Sequence, residues 1–288
     1  MRLYTTDQGI AREDSPGVLT VLDLPFADVG ELLRGPGLEL AATAPPRQVV
    51  PLHRASLHPV LPCPGKILAV GLNYPSHAEE ALEKFAEAGR HDVTLPTEPN
   101  VQVIAGSAAA AHDGPIVLPA VAPGYVDYEG EVGVVIGHRA TGVGAAEAWR
   151  HVAGLTVIND ITARDIQRRA YAGDPIASIA IAKSFDTFKP IGPCLATTDE
   201  FTEPLDLRIR TWVNGELRQN DRTSNLLHRI PELVSYLSRY QTLEAGDVIA
   251  TGSPRGAGQF TERFLRHGDV VDVEVEGVGI LSNHVLTA

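Results

Sequence analysis

The chain reads as an α+β protein, mainly β with interspersed helices, folded as a β-sandwich or rolled sheet. Three observations carry that expectation. Short apolar runs of strand length recur at residues 247–251, 270–275 and 279–282. Two strand-like arms, 207–213 and 216–219, flank Asn214-Gly215, a pair that a type I′ hairpin turn favours because both turn positions need positive φ. Strand–helix alternations are too few for a doubly wound parallel sheet.

The elements follow in chain order. Residues 1–62 hold extended pieces at 2–4 and 18–22, a brief helical stretch at 27–33 and a polar, proline-containing run at 44–47. The breaker cluster Leu61-Pro62-Cys63-Pro64-Gly65 then marks a boundary between a small N-terminal domain, 1–62, and a main domain, 63–288. Residues 66–72 form the apolar run of a buried strand. Residues 77–88 are helical, with Ala78, Leu82, Phe85 and Ala86 on one face. Residues 89–114 are weakly patterned, with Pro96, Pro99 and a run of alanines, the character of a functional lid. Strands follow at 128–136 and 155–159, then a helix over 162–171. A further helix has Pro231 in its first turn and Leu233, Val234 and Leu237 facing inward.

At 288 residues, 44% of them hydrophobic, the chain has enough material for a sizeable core. Lys and Arg total 24 against 36 Asp and Glu, a formal net charge of −12. With no dense basic stripe to reverse it, that charge disfavours nucleic acid and anionic membrane surfaces as partners. No apolar run approaches the ~20 residues that span a bilayer. Met1-Arg2-Leu3-Tyr4-Thr5-Thr6 has no apolar signal core behind its charge, so a cytoplasmic enzyme is expected. Cys63 and Cys194 are too few for a disulfide scaffold or a thiolate metal site and read as structural thiols.

The carboxylates carry the first functional signal. Glu129 and Glu131 are two apart in a strand-like run, so their side chains share a face. Like charges held together in an apolar strand repel unless a cation lies between them. Asp160 follows the next strand and is a natural helix N-cap. Thr162-Ala163-Arg164-Asp165, however, resembles a capping box with Thr162 as the cap, which frees Asp160 for another role. Three carboxylates suit a hard cation, Mg²⁺ or Mn²⁺, and leave positions open for water or substrate.

His77 and Glu80 are three apart at a helix start and share a face; a carboxylate beside an imidazole makes His77 a candidate general base. No His-Glu-x-x-His accompanies them, which excludes a metalloprotease helix. Arg164 and Gln167, also three apart, could reach a substrate carboxylate, with Arg164 making a bidentate contact. Lys183 stands alone after the apolar run Ile179-Ala180-Ile181-Ala182, and a buried Lys needs a partner. It reads as an active-site cation. Thr251-Gly252-Ser253-Pro254-Arg255-Gly256-Ala257-Gly258 could bring backbone amides to a substrate, but it is not a phosphate loop, and no Gly-x-Gly-x-x-Gly marks a dinucleotide site.

Five ordered segments resemble the fumarylacetoacetate hydrolase family. They are Gly71-Leu72-Asn73-Tyr74-Pro75-Ser76-His77-Ala78-Glu79-Glu80, Asp127-Tyr128-Glu129-Gly130-Glu131, Asn159-Asp160-Ile161-Thr162-Ala163-Arg164-Asp165-Ile166-Gln167, Ala182-Lys183-Ser184-Phe185-Asp186-Thr187 and Ala250-Thr251-Gly252-Ser253-Pro254. The resemblance implies a mixed β-sandwich roll, usually a homodimer, behind a small N-terminal domain. It implies Mg²⁺ or Mn²⁺ on Glu129, Glu131 and Asp160, and a His77–Glu80 dyad on a helix that closes over substrate. Lys183, Arg164, Gln167 and Thr251 would line the substrate site. The implied activity is hydrolytic C–C cleavage of a small 2,4-dioxo acid: His77 activates water, and the bond breaks to leave an enolate stabilised by the metal and Lys183. A decarboxylase or isomerase of an oxaloacetate-like acid would use the same site. A non-catalytic binding protein would be expected to lose a ligand or a member of the dyad, and all are present.

Two positions depart from the family pattern. The lid segment Val101-Gln102-Val103-Ile104-Ala105-Gly106 lacks the Lys-Pro that members often carry, and Arg255 stands where a small residue is common. Arg255 is expected to supply the missing cation to the substrate site.

Overall fold

The computed structural model describes residues 1–87, 89–91, 93–94 and 97–288. An eleven-stranded sheet runs in the order Pro46–Pro51, Val18–Leu22, Gly9–Ser15, Arg2–Thr6, Lys189–Thr197, Val152–Asn159, Gly130–Ile136, Val248–Ala250, Ile67–Gly71 and Asn100–Ile104, with Ala109–Ala110 paired to Lys189–Thr197. A five-stranded sheet follows the order Glu216–Arg222, Arg208–Val213, Val270–Val275, Gly279–Thr287 and Pro115–Leu118. The fold is thus mixed α+β and dominated by sheet, as expected, with no closed barrel.

Alternation along the central strand explains the layering. Every residue of Gly130–Ile136 is buried. Val132 and Val134 share one core with Val157, Ile209, Val271 and Leu281, between the two sheets. Val135 points the other way, into a second core with Ile67, Ile158 and Val248, covered by Val29, Leu32 and Leu33 of the helix Val29–Arg34. Period-2 side chains on a strand buried on both faces produce this division. The hairpin turn forms as expected, with φ of 53° at Asn214 and 77° at Gly215. The helix Ile230–Tyr240 carries Pro231 in its first turn and buries Leu233, Val234 and Leu237.

At four points the structure adds to or departs from the sequence expectations. The expected boundary between 1–62 and 63–288 is not a break in the sheet. Arg2–Thr6 pairs with Lys189–Thr197, and Leu3, Ile10 and Leu22 share a core with Val135 and Ile191. Apolar burial against the later strands, not an independent core, orders the N-terminal strands. The expected strand 128–136 is interrupted at Tyr128-Glu129, between Val126–Asp127 and Gly130–Ile136. There the amides bond side chains instead of a ladder: Tyr128 N to Asp127 Oδ1 at 2.8 Å and Glu129 N to Asn159 Oδ1 at 3.1 Å.

The Thr162 capping box does not form either. The helix begins at Arg164, with Ala163 at the N-cap position and no side-chain cap. Thr162 pairs with Asp127 in a short strand and donates back to Asp160 O at 3.0 Å. Fourth, the weakly patterned stretch 89–114 holds the edge strand Asn100–Ile104, whose outer Val103 stays half exposed, so no clean alternation survives. The expected helix 77–88 runs Pro75–Glu87; Ala88 and Pro96 lie outside the described residues. Among those residues, no helix is long and apolar enough to cross a membrane. Cys63 is exposed and Cys194 buried, both as free thiols.

Candidate active site

Strand ends and three helices, Pro75–Glu87, Arg164–Tyr171 and Ile179–Lys183, bring seven of the expected residues, His77, Glu129, Glu131, Asp160, Arg164, Gln167 and Lys183, to one cavity of about 390 Å³. Glu129, Glu131 and Asp160 form its floor, with Lys183, Arg164 and His77 around them. Glu131 comes from Gly130–Ile136 and Asp160 follows Val152–Asn159. These are neighbouring antiparallel strands in which Gly130 pairs with Asn159, so the register places the three carboxylates side by side. One oxygen from each lies within 4.8 Å of the others, and all three residues are buried.

The surrounding cations answer these charges unevenly. Arg164, 1% exposed at its side chain, donates from Nε to Asp127 Oδ2 at 2.8 Å and from Nη2 to Glu129 Oε1 at 2.7 Å. Its Nη1 bonds Gln167 Oε1 at 2.7 Å. Lys183 Nζ lies 3.0 Å from Glu129 Oε2 and also pairs with Asp160 Oδ2. Burial works against the charge on Glu129, but Arg164 and then Lys183 hold its carboxyl far below the usual range. Among the described residues Glu131 has no ion-pair partner and accepts one hydrogen bond, from the backbone N–H of Gly252 at 2.7 Å. Burial pushes its pKa well up, and Asp160 and Glu129 push it further. Like charges held this close raise one another's pKa unless a cation lies between them. The donor set, three carboxylates and no thiolate, fits a hard ion such as Mg²⁺ or Mn²⁺.

Gly252 is required where it stands. Its φ is +100°, and a Cβ there would meet Asn73 Cβ at 2.7 Å. Asn73 in turn donates to Thr251 O and His228 O at 2.7 and 3.0 Å, which docks the start of helix Pro75–Glu87 against the glycine loop. That helix turns His77 and Glu80 inward.

His77 lines the cavity and Glu80 is buried one helical turn on, outside that lining; among the described residues no hydrogen bond or ion pair joins them. His77 Nδ1 lies 3.3 Å from Pro254 O. A carbonyl can only accept, so Nδ1 carries the proton and Nε2 is left as the basic nitrogen. Phe260 packs edge-on to the ring at 5.3 Å, and burial pushes the imidazole pKa down against the pull of Glu129. Glu80 Oε2 instead accepts from Gly256 N at 3.1 Å, with Arg255 Nε 3.8 Å from Oε1; burial pushes its carboxyl up.

The remaining expected residues divide. Gln167 lines the cavity but is bonded to Arg164. Thr251 is fully buried and its hydroxyl donates to Val132 O at 3.0 Å. Arg255 is half exposed, pairs with Glu83 at 2.7 Å, and does not line the cavity. Arg90 is a further cation in the cavity lining, stacked 5.1 Å from the Phe85 ring centroid. Among the described residues it has no ion-pair partner. Sequence reasoning missed Arg90, and it missed Asp127, whose oxygens take Arg164 together with the amides of Gly258 and Gln259. It also missed Lys189, fully buried with Nζ 2.8 Å from Asp160 Oδ1. A lone Lys among apolar residues was the signal for Lys183, and Phe188-Lys189-Pro190-Ile191 carries the same one.

A sheet-dominated α+β fold that gathers three buried carboxylates, a lysine and a histidine in one cavity has the make-up of a metal-binding enzyme site. Residues 66–286 match the model of the fumarylacetoacetate (FAA) hydrolase C-terminal domain, and the chain belongs to the fumarylacetoacetate hydrolase family. An oxaloacetate tautomerase of Bacillus subtilis is 40% identical over 237 residues, covering 81% of this chain and 74% of that protein. A fumarylacetoacetate hydrolase from Exiguobacterium antarcticum superposes with a TM-score of 0.83 at 31% identity, covering 100% of both chains. A maleylpyruvate hydrolase from Sphingobium sp. SYK-6, solved with manganese(II) and pyruvate, superposes with a TM-score of 0.78 at 26% identity, again over 100% of both chains.

Proposed function

We propose that this protein is a divalent-cation-dependent enzyme that moves a proton between carbon and oxygen of a small 2-oxo dicarboxylic acid, an oxaloacetate-type keto–enol tautomerase. One observation carries the reading. His77 is a buried base in the cavity of the carboxylate triad, and among the described residues Glu80 bonds Gly256 and neither orients His77 nor lines the cavity.

Glu129, Glu131 and Asp160 would hold Mg²⁺ or Mn²⁺. Such an ion supplies Lewis acidity toward the substrate's carboxylate and the neighbouring keto oxygen. His77 Nε2 takes the proton from the carbon next to the keto group; the electron pair of that C–H bond becomes the C=C bond, and the π pair of the C=O bond moves to the keto oxygen. Returning the proton to oxygen gives the enol, and the reverse path gives the ketone. Pro254 O keeps the imidazole in the tautomer this requires. Lys183 balances charge on Glu129 and Asp160. Phe260 shields the base from water. Arg90 offers the distal carboxylate of a dicarboxylic acid a cation in the cavity lining. The 40% identity to an oxaloacetate tautomerase supports the same reading.

Hydrolytic C–C cleavage of an acylpyruvate is the second reading, favoured by the likeness to the maleylpyruvate hydrolase. It requires Glu80 to leave Gly256 and Arg255 and reach His77 or a water. The test follows the ultraviolet absorbance of enol-oxaloacetate on mixing with enzyme, in Mg²⁺, Mn²⁺ or EDTA, beside assays for pyruvate from acylpyruvates and CO₂ from oxaloacetate. Metal-dependent enol–keto interconversion without pyruvate or CO₂ is the expected result. Pyruvate release from acylpyruvates with no effect on enol decay would replace it with hydrolysis.

A further inference from the structure

We propose that the Lys189 ammonium acts as a built-in monovalent cation that holds Asp160 and Lys183 at a set spacing, making Lys189 a positioning residue for the carboxylate triad. Its side chain is fully buried, and Nζ lies 3.0 Å from Ile161 O, 2.6 Å from Lys183 O and 2.9 Å from Phe188 O. A fourth oxygen, Asp160 Oδ1, lies 2.8 Å away. An ammonium has three protons and no acceptor, and the three carbonyls take them all. Asp160 Oδ1 therefore receives charge without a donated hydrogen, and it has no hydrogen-bond partner. Backbone carbonyls replacing a hydration shell around one positive centre is an environment that suits a dehydrated K⁺ as well as an ammonium.

The segments that Lys189 ties together set its role. Lys183 O closes the helix Ile179–Lys183 and belongs to the residue whose own ammonium pairs with Glu129 and Asp160. Ile161 is next to Asp160, and Phe188 precedes the strand Lys189–Thr197, which neighbours Val152–Asn159. Lys189 also engages one oxygen of Asp160 and leaves the other to Lys183. It does not line the cavity, so it acts through Asp160 and Lys183 and not on substrate. The proposal rests on Glu129, Glu131 and Asp160 being metal ligands and is independent of which reaction they serve.

The experiment measures Mn²⁺ affinity of the full chain by electron paramagnetic resonance, with tetramethylammonium, K⁺ or ammonium as the only added monovalent cation. Wild type that fails to bind Mn²⁺ overturns the metal reading and this proposal with it. With wild type binding, Lys189→Ala is expected to bind about 10–100-fold more weakly in tetramethylammonium and to recover in K⁺ or ammonium, which enter the vacated carbonyl cage. Lys189→Met fills that space with an apolar stem and is expected to stay weak in all three. The thermal midpoint of Lys189→Ala is followed in the same buffers. A rise in K⁺ over tetramethylammonium that wild type lacks is the same signature, read on folding. Equal Mn²⁺ affinity in wild type and Lys189→Ala overturns the proposal, as does a deficit that neither K⁺ nor ammonium changes in affinity or midpoint.

Discussion

Arg164 Nη2 donates to Glu129 Oε1 across 2.7 Å while its Nε holds Asp127 Oδ2 at 2.8 Å, so one buried guanidinium ties two buried carboxylates together. Its third contact is to Gln167, and its side chain also lines the cavity. Arg164 therefore holds Glu129 of the triad in place through a fixed fork. Arg164→Met leaves Asp127 without its cation and Glu129 with Lys183 alone, and is expected to lower unfolding stability by about 3–5 kcal/mol, read by urea denaturation. Arg164→Lys keeps the charge but loses the fork, and weaker Mn²⁺ binding is expected with partial recovery of stability. Stability unchanged in both variants would remove this role.

Glu131 governs a pH dependence. Its carboxyl is pushed well above the usual range by burial and by Asp160 and Glu129. A raised carboxyl favours the folded state below its unfolded pKa, and that contribution is lost as pH rises through the folded value. The metal-free protein is therefore expected to lose thermal stability as pH climbs above the ordinary carboxylate range. Glu131→Gln should flatten that slope, and saturating Mg²⁺ should flatten it in the wild type. A metal-free midpoint that rises steadily with pH over that window, the same in both proteins, would contradict the assignment.

His77 is expected to set the acid limb of activity. Burial pushes its pKa down, so the base form persists below the ordinary histidine value of about 6.5, and kcat/KM should fall only on the acid side of it. His77→Gln is predicted to lose about 10²–10⁴-fold in kcat with Mn²⁺ affinity unchanged. Turnover retained in His77→Gln would hand the proton transfer to another group.

Arg255 should matter little. It is half exposed and pairs with Glu83 and Glu80 at the rim. Arg255→Ala is expected to leave kcat and KM near wild type and to cost less than about 1 kcal/mol of stability. A large rise in KM for every acid tested would restore the expectation that it supplies the substrate-site cation.

Arg90, by contrast, stacks on Phe85 at the cavity wall. Arg90→Gln is predicted to raise KM for a 2-oxo dicarboxylic acid by about tenfold, the loss of one charge-assisted contact, while KM for a monocarboxylic analogue such as pyruvate enol moves little. Equal shifts for both would mean that Arg90 shapes the wall and does not select the substrate.

Local spacing made much of the site legible. Glu129 and Glu131 were found because two carboxylates two apart in an apolar run have few structural uses. Lys183 was found because a lone Lys in an apolar run must be answered by an anion. The Asn214-Gly215 hairpin and the helix at Pro231 were legible because turn and cap chemistry acts over two to four residues. The edge strand Asn100–Ile104 was not, because one of its faces stays exposed and its alternation is blurred.

The sequence by itself determined the residue types that can make a hard-cation site and the order in which strands and helices deliver them. Tertiary structure alone decided how those groups are paired. Arg164 turned to Asp127 and Glu129, Glu80 to Gly256 and Arg255, and Lys189 to Asp160. Strands 2–6 and 189–197 became neighbours across most of the chain. The reason is physical. A buried charge is neutralised by whichever group the fold brings within about 3 Å, and the side-chain directions that bring it there depend on register and packing between segments far apart in the chain.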